Sequence, residues 1–198
     1  NNSWYLGNTQ FVPLTTPGTN VIKQTIYAPE AGAYLANHMI ANQIFDHQYH
    51  DRNYVIGYDG VWMNVKASFG KFQTNLGSSL DSKTNTYSMY LGKDFLKDEH
   101  VNAGAMLAYG YSDGNSNNKL TGFKADHNSQ GFALGAYGTY NFKEHSYIDA
   151  WVQYVYMRNE VKGQNLANEK YNSDGFLASI EIAHAFDLGE TIKLQPQL

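Results

Sequence analysis

The 198-residue sequence predicts an all-β fold, an antiparallel up-and-down transmembrane β-barrel represented by about seven strands, with an N-terminal α-helix in its lumen. Three observations carry that expectation. From residue 60 onward the hydrophobic pattern has period 2 in segment after segment, the mark of strands with one apolar and one polar face. The connections between those segments alternate strictly between short and long, as in a membrane-barrel meander. Ahead of them lies a single helical stretch, too interrupted by polar residues to cross a bilayer itself.

Composition narrows the class. Charged residues make up 16% of the chain, against ~25% in ordinary soluble domains, while aromatics reach 15% and glycine numbers 18. A net charge of −4 argues against a nucleic-acid partner. The absence of cysteine excludes thiolate metal sites and disulfides. Mean hydropathy is −0.49 and no segment reads as a helical span, but a barrel hides its hydrophobicity in alternation. The chain opens on Asn1 with no signal peptide, which predicts a piece of a longer precursor.

Residues 1–27 read as a short strand at 3–7 followed by an extended linker through Pro13 and Pro17. The stretch 28–52 reads as one helix, with Pro29 at its first position, Glu30 in the first turn and Arg52 in the last. About 22 residues would make a rod of about 33 Å, matched to a ~30 Å hydrocarbon layer. Asn37, His38, Asn42, Gln43, Asp46, His47 and Gln48 interrupt it, and Tyr34, Leu35, Met39, Ile40, Ala41, Ile44 and Phe45 spread around its circumference without a clean stripe. That pattern predicts a helix enclosed on all sides by mixed, partly polar walls.

After a turn-rich link at 53–60, strands are predicted at 60–70, 87–95, 101–111, 132–140, 147–157, 176–186 and 192–198. Alternation puts Val61, Met63, Val65, Leu107, Ile148, Val152, Ile180 and Ile182 on the lipid face. It puts Asn64, Lys66, Asp149, Gln153 and Glu181 on the lumenal face. Connections 96–100, 141–146 and 187–191 are short, whereas 71–86, 112–131 and 158–174 are long and rich in Asn, Ser, Gly and Lys. Tyr87, Tyr109, Tyr111, Tyr140, Tyr147, Tyr154 and Tyr156 would suit aromatic girdles at the interfaces. A soluble β-sandwich or lipocalin-like barrel also alternates and stays open on pattern alone.

His47 and His50 with Asp46 and Asp51 have an i, i+3 spacing that could suggest a metal, but zinc needs about four convergent ligands and no second pair accompanies them. Asp149 and Glu181 could serve as an acid–base pair; the reading preferred for both is lumen-facing charge meeting the helix or water. No catalytic, cofactor or metal site is predicted. The expected contacts between helix and wall are Glu30, Asn37, Asp46, Asp51 and Arg52 from the helix, and Asn64, Lys66, Asp149, Gln153 and Glu181 from the strands.

One set of motifs carries a family resemblance. It comprises Pro29-Glu30-Ala31-Gly32-Ala33-Tyr34 with Ala36-Asn37 following, and His50-Asp51-Arg52 closing the helix. Further on come Leu134-Gly135-Ala136-Tyr137-Gly138-Thr139-Tyr140, Tyr147-Ile148-Asp149-Ala150-Trp151, Val161-Lys162-Gly163, and Gly175-Phe176 leading to Ala178-Ser179-Ile180-Glu181. In this order, over residues 28–198, the chain resembles the translocator β-domain of type Va autotransporters of Gram-negative bacteria, and Ser3-Trp4-Tyr5-Leu6 resembles the end of a passenger.

The resemblance implies a twelve-stranded outer-membrane barrel threaded by a helix and exporting an N-terminal passenger to the cell surface. It implies partners in outer-membrane lipid, the chain's own passenger, the barrel assembly machinery and periplasmic chaperones, with no cofactor. The corresponding division is 1–27 as passenger end and linker, 28–52 as lumenal helix and 53–198 as partial barrel, with the family's C-terminal strands missing. The alternative is an outer-membrane β-barrel enzyme or binding protein with an N-terminal plug helix. Self-cleaving autotransporters would require an Asn-Asn pair in the lumenal helix; here Asn37 and Asn42 are isolated, and the pairs Asn1-Asn2 and Asn117-Asn118 lie elsewhere.

Overall fold

The computed structural model describes residues 28–52, 60–74, 80–142, 146–164, 166–184, 186–187 and 193–194. The expected strand at 3–7 and most of the link at 53–60 lie outside them. Strands β1 (Val61–Thr74), β2 (Leu80–Lys97), β3 (Val101–Asn118), β4 (Lys124–Asn141), β5 (Tyr147–Gly163) and β6 (Glu169–Ala183) form one sheet. Its order is sequential and every neighbouring pair is antiparallel, an up-and-down meander. Two short strands, β7 (Phe186–Asp187) and β8 (Lys193–Leu194), pair with each other instead of continuing the sheet. The described sheet therefore has six strands where about seven were expected.

Alternation sets the faces. Met63, Val65, Leu107, Ile148, Val152, Ile180 and Ile182 are exposed on the convex side, Val61 is half-buried, and Ile180 retains 71% of its surface. Exposed aromatics gather in two belts on this side. One holds Phe69, Tyr87, Tyr109, Phe132, Tyr154 and Phe176, the other Phe95, Tyr140 and Phe142. Phe132 and Tyr140 lie on the same strand, eight residues or about 26 Å apart along it, close to the ~25 Å apolar band of an outer-membrane barrel.

Tyr147 departs from the girdle expectation. It shares parity with Asp149, is buried on the concave side and donates its hydroxyl to Glu181.

The long connections are shorter than expected because the strands outrun the apolar band. β3 continues through Asn118 and β4 starts at Lys124, leaving a tight turn whose Gly122 has φ +73°, a left-handed conformation that glycine adopts without strain. At the opposite end, Val101 and His100 donate their amides to Asp98 in the β2–β3 turn, which holds that carboxyl below the usual carboxylate range.

The expected single helix is two pieces. α1 runs from Pro29 to Gln43, and a one-turn 3-10 segment covers Tyr49–Arg52. The main-chain carbonyls that a continuous helix would need are taken by the barrel wall. Gln153 Nε2 donates to the carbonyl of Phe45, Lys66 Nζ and Tyr90 Oη donate to that of Asp46, and Trp151 Nε1 donates to that of His47. Each i−4 acceptor lost removes a reason for the backbone to stay helical.

Nor is α1 enclosed on all sides among the described residues. It packs on β2 to β5 through Glu30, Gly32, Ala33, Ala36, Asn37 and Ile40, while Leu35 and Met39 stay exposed. A cavity of about 300 Å³ separates Met39 and Gln43 from Ser68 on β1 and Thr84 and Thr86 on β2. The buried face has helical periodicity, but small and polar residues occupy it, so no apolar stripe marks it in sequence.

Candidate functional site

The chemistry of the chain is concentrated where the 28–52 segment meets the concave wall. Inward parity on each strand supplies the wall's side chains, and the order of attachments fixes the direction of the segment.

At its start, Glu30 is 2% exposed and lies against Gly163, where a Cβ would fall 1.9 Å from Glu30 Oε1. One turn later Tyr34 donates its hydroxyl to Glu169 and meets the Tyr171 ring at a tilt of 39°, with centroids 5.7 Å apart. Asn37 bridges two strands, donating to Tyr171 Oη at 3.2 Å and accepting from Ser129 Oγ at 3.0 Å. Ser129 also approaches Asn159 Oδ1 at 2.6 Å, and Asn159 donates to Ser173 Oγ at 3.0 Å.

The end of the segment is held by charge. Arg52 forms an ion pair with Asp149, both side chains nearly inaccessible, and its guanidinium lies 4.3 Å from the centre of the Tyr137 ring. Asp149 Oδ1 also accepts from Thr139 Oγ1 at 2.6 Å. Asp51 receives Lys66 Nζ at 2.5 Å on its carboxylate and Asn64 Nδ2 at 3.0 Å on its carbonyl. Glu181 accepts from Tyr147 Oη and, at 3.3 Å, from the amide of Tyr49. Asp46 is exposed and meets the wall through its carbonyl, not its carboxylate.

Aromatics on lumen-facing positions were not among the anticipated contacts. Trp62 Nε1 donates to Tyr137 Oη at 2.7 Å, and Tyr137 Oη donates to Asp94 at 2.5 Å. His47 is buried among Trp62, Tyr90 and Trp151, with ring centres 6.5, 5.6 and 4.9 Å away. A signal was available. Trp62 alternates in phase with Asn64 and Lys66, and Trp151 with Asp149 and Gln153, so parity places both on the lumenal face.

His47 and His50 face different aromatic neighbours, and among the described residues no group of three potential ligands could hold a metal. Asp149 and Glu181 are cross-strand partners, yet each carboxylate is engaged as described. What the contacts do is hold a non-strand segment along the concave face of the sheet.

Comparison with known proteins follows the same line. The family model described as Autotransporter beta-domain matches residues 61–198. The probable autotransporter YfaL of Escherichia coli strain K12 is 26% identical over 100% of this chain and 18% of its own length. The autotransporter adhesin AIDA-I of Escherichia coli is 29% identical over 90% of this chain and 14% of its own, so the chain spans less than a fifth of either relative. The crystal structure of the AIDA-I transport unit superposes with a TM-score of 0.73 at 27% identity, covering 86% of this chain and 60% of that one.

Proposed function

We propose, because this chain belongs to the autotransporter β-domain family, that it anchors an N-terminal passenger in the outer membrane of a Gram-negative bacterium and exports it to the cell surface. Residues 1–27 serve as passenger end and linker, 28–52 as the lumenal plug and 53–198 as part of the barrel. Outer-membrane lipid surrounds the exposed apolar face, and the barrel assembly machinery with periplasmic chaperones delivers the chain. The reading makes the domain a transporter without enzymatic activity of its own.

One observation carries the proposal: the plug has a direction. It begins beside Gly163 and Glu169, at the end where the β1–β2, β3–β4 and β5–β6 hairpins run well past the aromatic belt, and finishes at Asp149 and Glu181. The chain then enters β1 at Val61, paired with Lys93 toward the short β2–β3 turn. A segment running once along the lumen this way puts Pro29 at the end where the hairpins extend past the belt, which in an outer-membrane barrel is the extracellular end.

The test is surface display from the full-length precursor. An epitope ahead of residue 28 should be protease-accessible in intact cells, and deletion of 61–198 should trap it inside. An epitope that stays protected in intact cells expressing a folded barrel would overturn the proposal. The helix lacks an Asn-Asn pair, so passenger and barrel should remain one polypeptide in membranes without surface proteases.

A further inference from the structure

Lys71 on β1 and Lys83 on β2 are cross-strand partners on the outer face, both exposed. Directly opposed like charges destabilise a strand pair unless something neutralises them. No ion pair among the described residues does so. Neither lysine has a carboxylate within 4 Å, whereas the other described ion pairs are formed. The two carboxylates nearest along the ladder have other partners. Asp81, two residues from Lys83, pairs with Lys119 at 2.8 Å, and Asp113, diagonal to Lys83, accepts from Asn85 at 3.2 Å.

Their height on the barrel supplies the second observation. Phe69 and Tyr87 stack edge to face at 6.1 Å in the belt nearer the long connections. Lys71 lies two residues beyond Phe69 on the same face. Aromatic belts mark the boundary between hydrocarbon and headgroup, so the ammonium pair stands at headgroup level, where a lipid's phosphate would be. Same-face Cα partners are roughly 5 Å apart, a spacing that lets two ammoniums share the oxygens of one phosphate.

We infer that Lys71 and Lys83 form a seat for the phosphate of an anionic glycolipid in the outer leaflet. The inference rests on the proposed orientation, which puts this belt on the extracellular side. Each lysine contributes a charge-assisted contact, and the pair fixes one lipid beside the β1–β2 hairpin.

The test uses the full-length precursor purified from outer membranes in detergent, with diphosphoryl lipid A as probe and native mass spectrometry reading occupancy. Lys71→Gln should weaken binding about fivefold and the double variant with Lys83→Gln about 25-fold, while Lys93→Gln, outside this belt, should leave it unchanged. Lipid A stripped of its phosphates should bind as weakly to wild type as diphosphoryl lipid A does to the double variant. Unchanged affinity in a heat-modifiable double variant, or equal binding of the stripped lipid, overturns the seat. Full displacement by millimolar inorganic phosphate overturns the lipid as its ligand. If the double variant does not fold, the single variant and the stripped lipid decide. A wild-type chain that never becomes heat-modifiable would instead remove the barrel reading and this inference with it.

Discussion

The two ends of the plug are fastened by different physics. Its first half, Pro29–Gln43, is a regular helix that approaches the wall through Gly32, Ala33 and Ala36 and hydrogen-bonds to it through Tyr34 and Asn37. Its last part, from Phe45 to Arg52, leaves the α-helix and ends in one 3-10 turn, and its carbonyls and charges are bonded to Gln153, Lys66, Trp151 and Asp149. Among the described residues no cation pairs with Glu30 or Glu169, so close packing and single hydrogen bonds hold the helical end. The Arg52–Asp149 pair holds the other, because a buried ion separated from its partner has no alternative solvation. The lower end, 45–52, therefore fixes where the plug stops, whereas the upper end, 29–43, leaves a cavity between Met39 and Gln43 and the first two strands.

The largest effect should come from splitting the buried ion pair. Arg52→Ala leaves Asp149 inaccessible with only the Thr139 hydroxyl, and removal of one partner from a buried pair costs about 3–5 kcal/mol. Thermal loss of heat-modifiable mobility in the full-length chain would read it. Replacing both partners with apolar residues of similar volume should restore much of the loss. A double variant as unstable as the single would mean that the pair acts through packing alone.

A change on the opposite face of the same strand separates plug from membrane. Val152 is exposed on β5, between lumen-facing Trp151 and Gln153. Val152→Arg in the lipid band should cost about 2–4 kcal/mol when folding into bilayers while leaving plug contacts intact. Similar losses in bilayers and in a polar solubilising environment would place this position away from lipid.

The division between the two ends also explains what could be read from sequence. The faces of β1 and β5 were legible because lipid and lumen differ sharply in polarity, so Met63 and Asn64, or Val152 and Gln153, alternate in character. Beyond the aromatic belt that contrast disappears. Segments such as 112–118 and 124–130 have polar residues on both sides, and they read as loops although the hydrogen-bond ladder continues through Ser112↔Ser129 and Asn115↔Asp126. The helix end was hidden for another reason. The donors that intercept the carbonyls of residues 45–47 come from Lys66, Tyr90, Trp151 and Gln153, and no local pattern announces a competition with side chains up to 108 residues away. Asp149 was accessible through strand parity and Arg52 through its place at the end of the plug, whereas parity gives the face of Trp62 and Trp151 but not which plug residues they meet.

The upper end should respond to volume instead of charge. A Cβ at Gly32 would lie 2.1 Å from Ser116 Oγ and 3.2 Å from Ser82 Oγ, so Gly32→Ala requires the Ser116 hydroxyl to turn and the helix to lift. The expected cost is about 1–2 kcal/mol. Adding Ser116→Ala should recover part of it, and the recovery measures the coupling between the two positions. Single-channel conductance should rise in Gly32→Ala as the upper helix loosens, while the Arg52–Asp149 attachment keeps the lower end seated. Equal leakiness in Gly32→Ala and Arg52→Ala would erase the distinction between the two ends.

The smallest effect tests the same contrast on one residue type. Asp149 and Asp98 both accept hydrogen bonds, but Asp149 is buried against a cation, whereas Asp98 lies in an exposed turn and accepts the amides of Val101 at 2.7 Å and His100 at 2.8 Å. Those amides favour the ionised form and lower its pKa in the folded chain. The sign follows: this contribution is fully present above the unfolded carboxylate value, about 3.9, and disappears as acid brings the pH down through the lowered folded value. Asp98→Asn keeps an oxygen acceptor for both amides and removes the ionisation, so the variant should match wild type in acid and be slightly less stable near neutrality. Solvent screens an exposed carboxylate, so the difference should be far smaller than that at Asp149. Stability curves of the full-length chain between pH 3 and pH 7 provide the comparison. A wild-type advantage over Asp98→Asn that persists unchanged to pH 3 would show that the turn is held by shape and not by the carboxylate's charge.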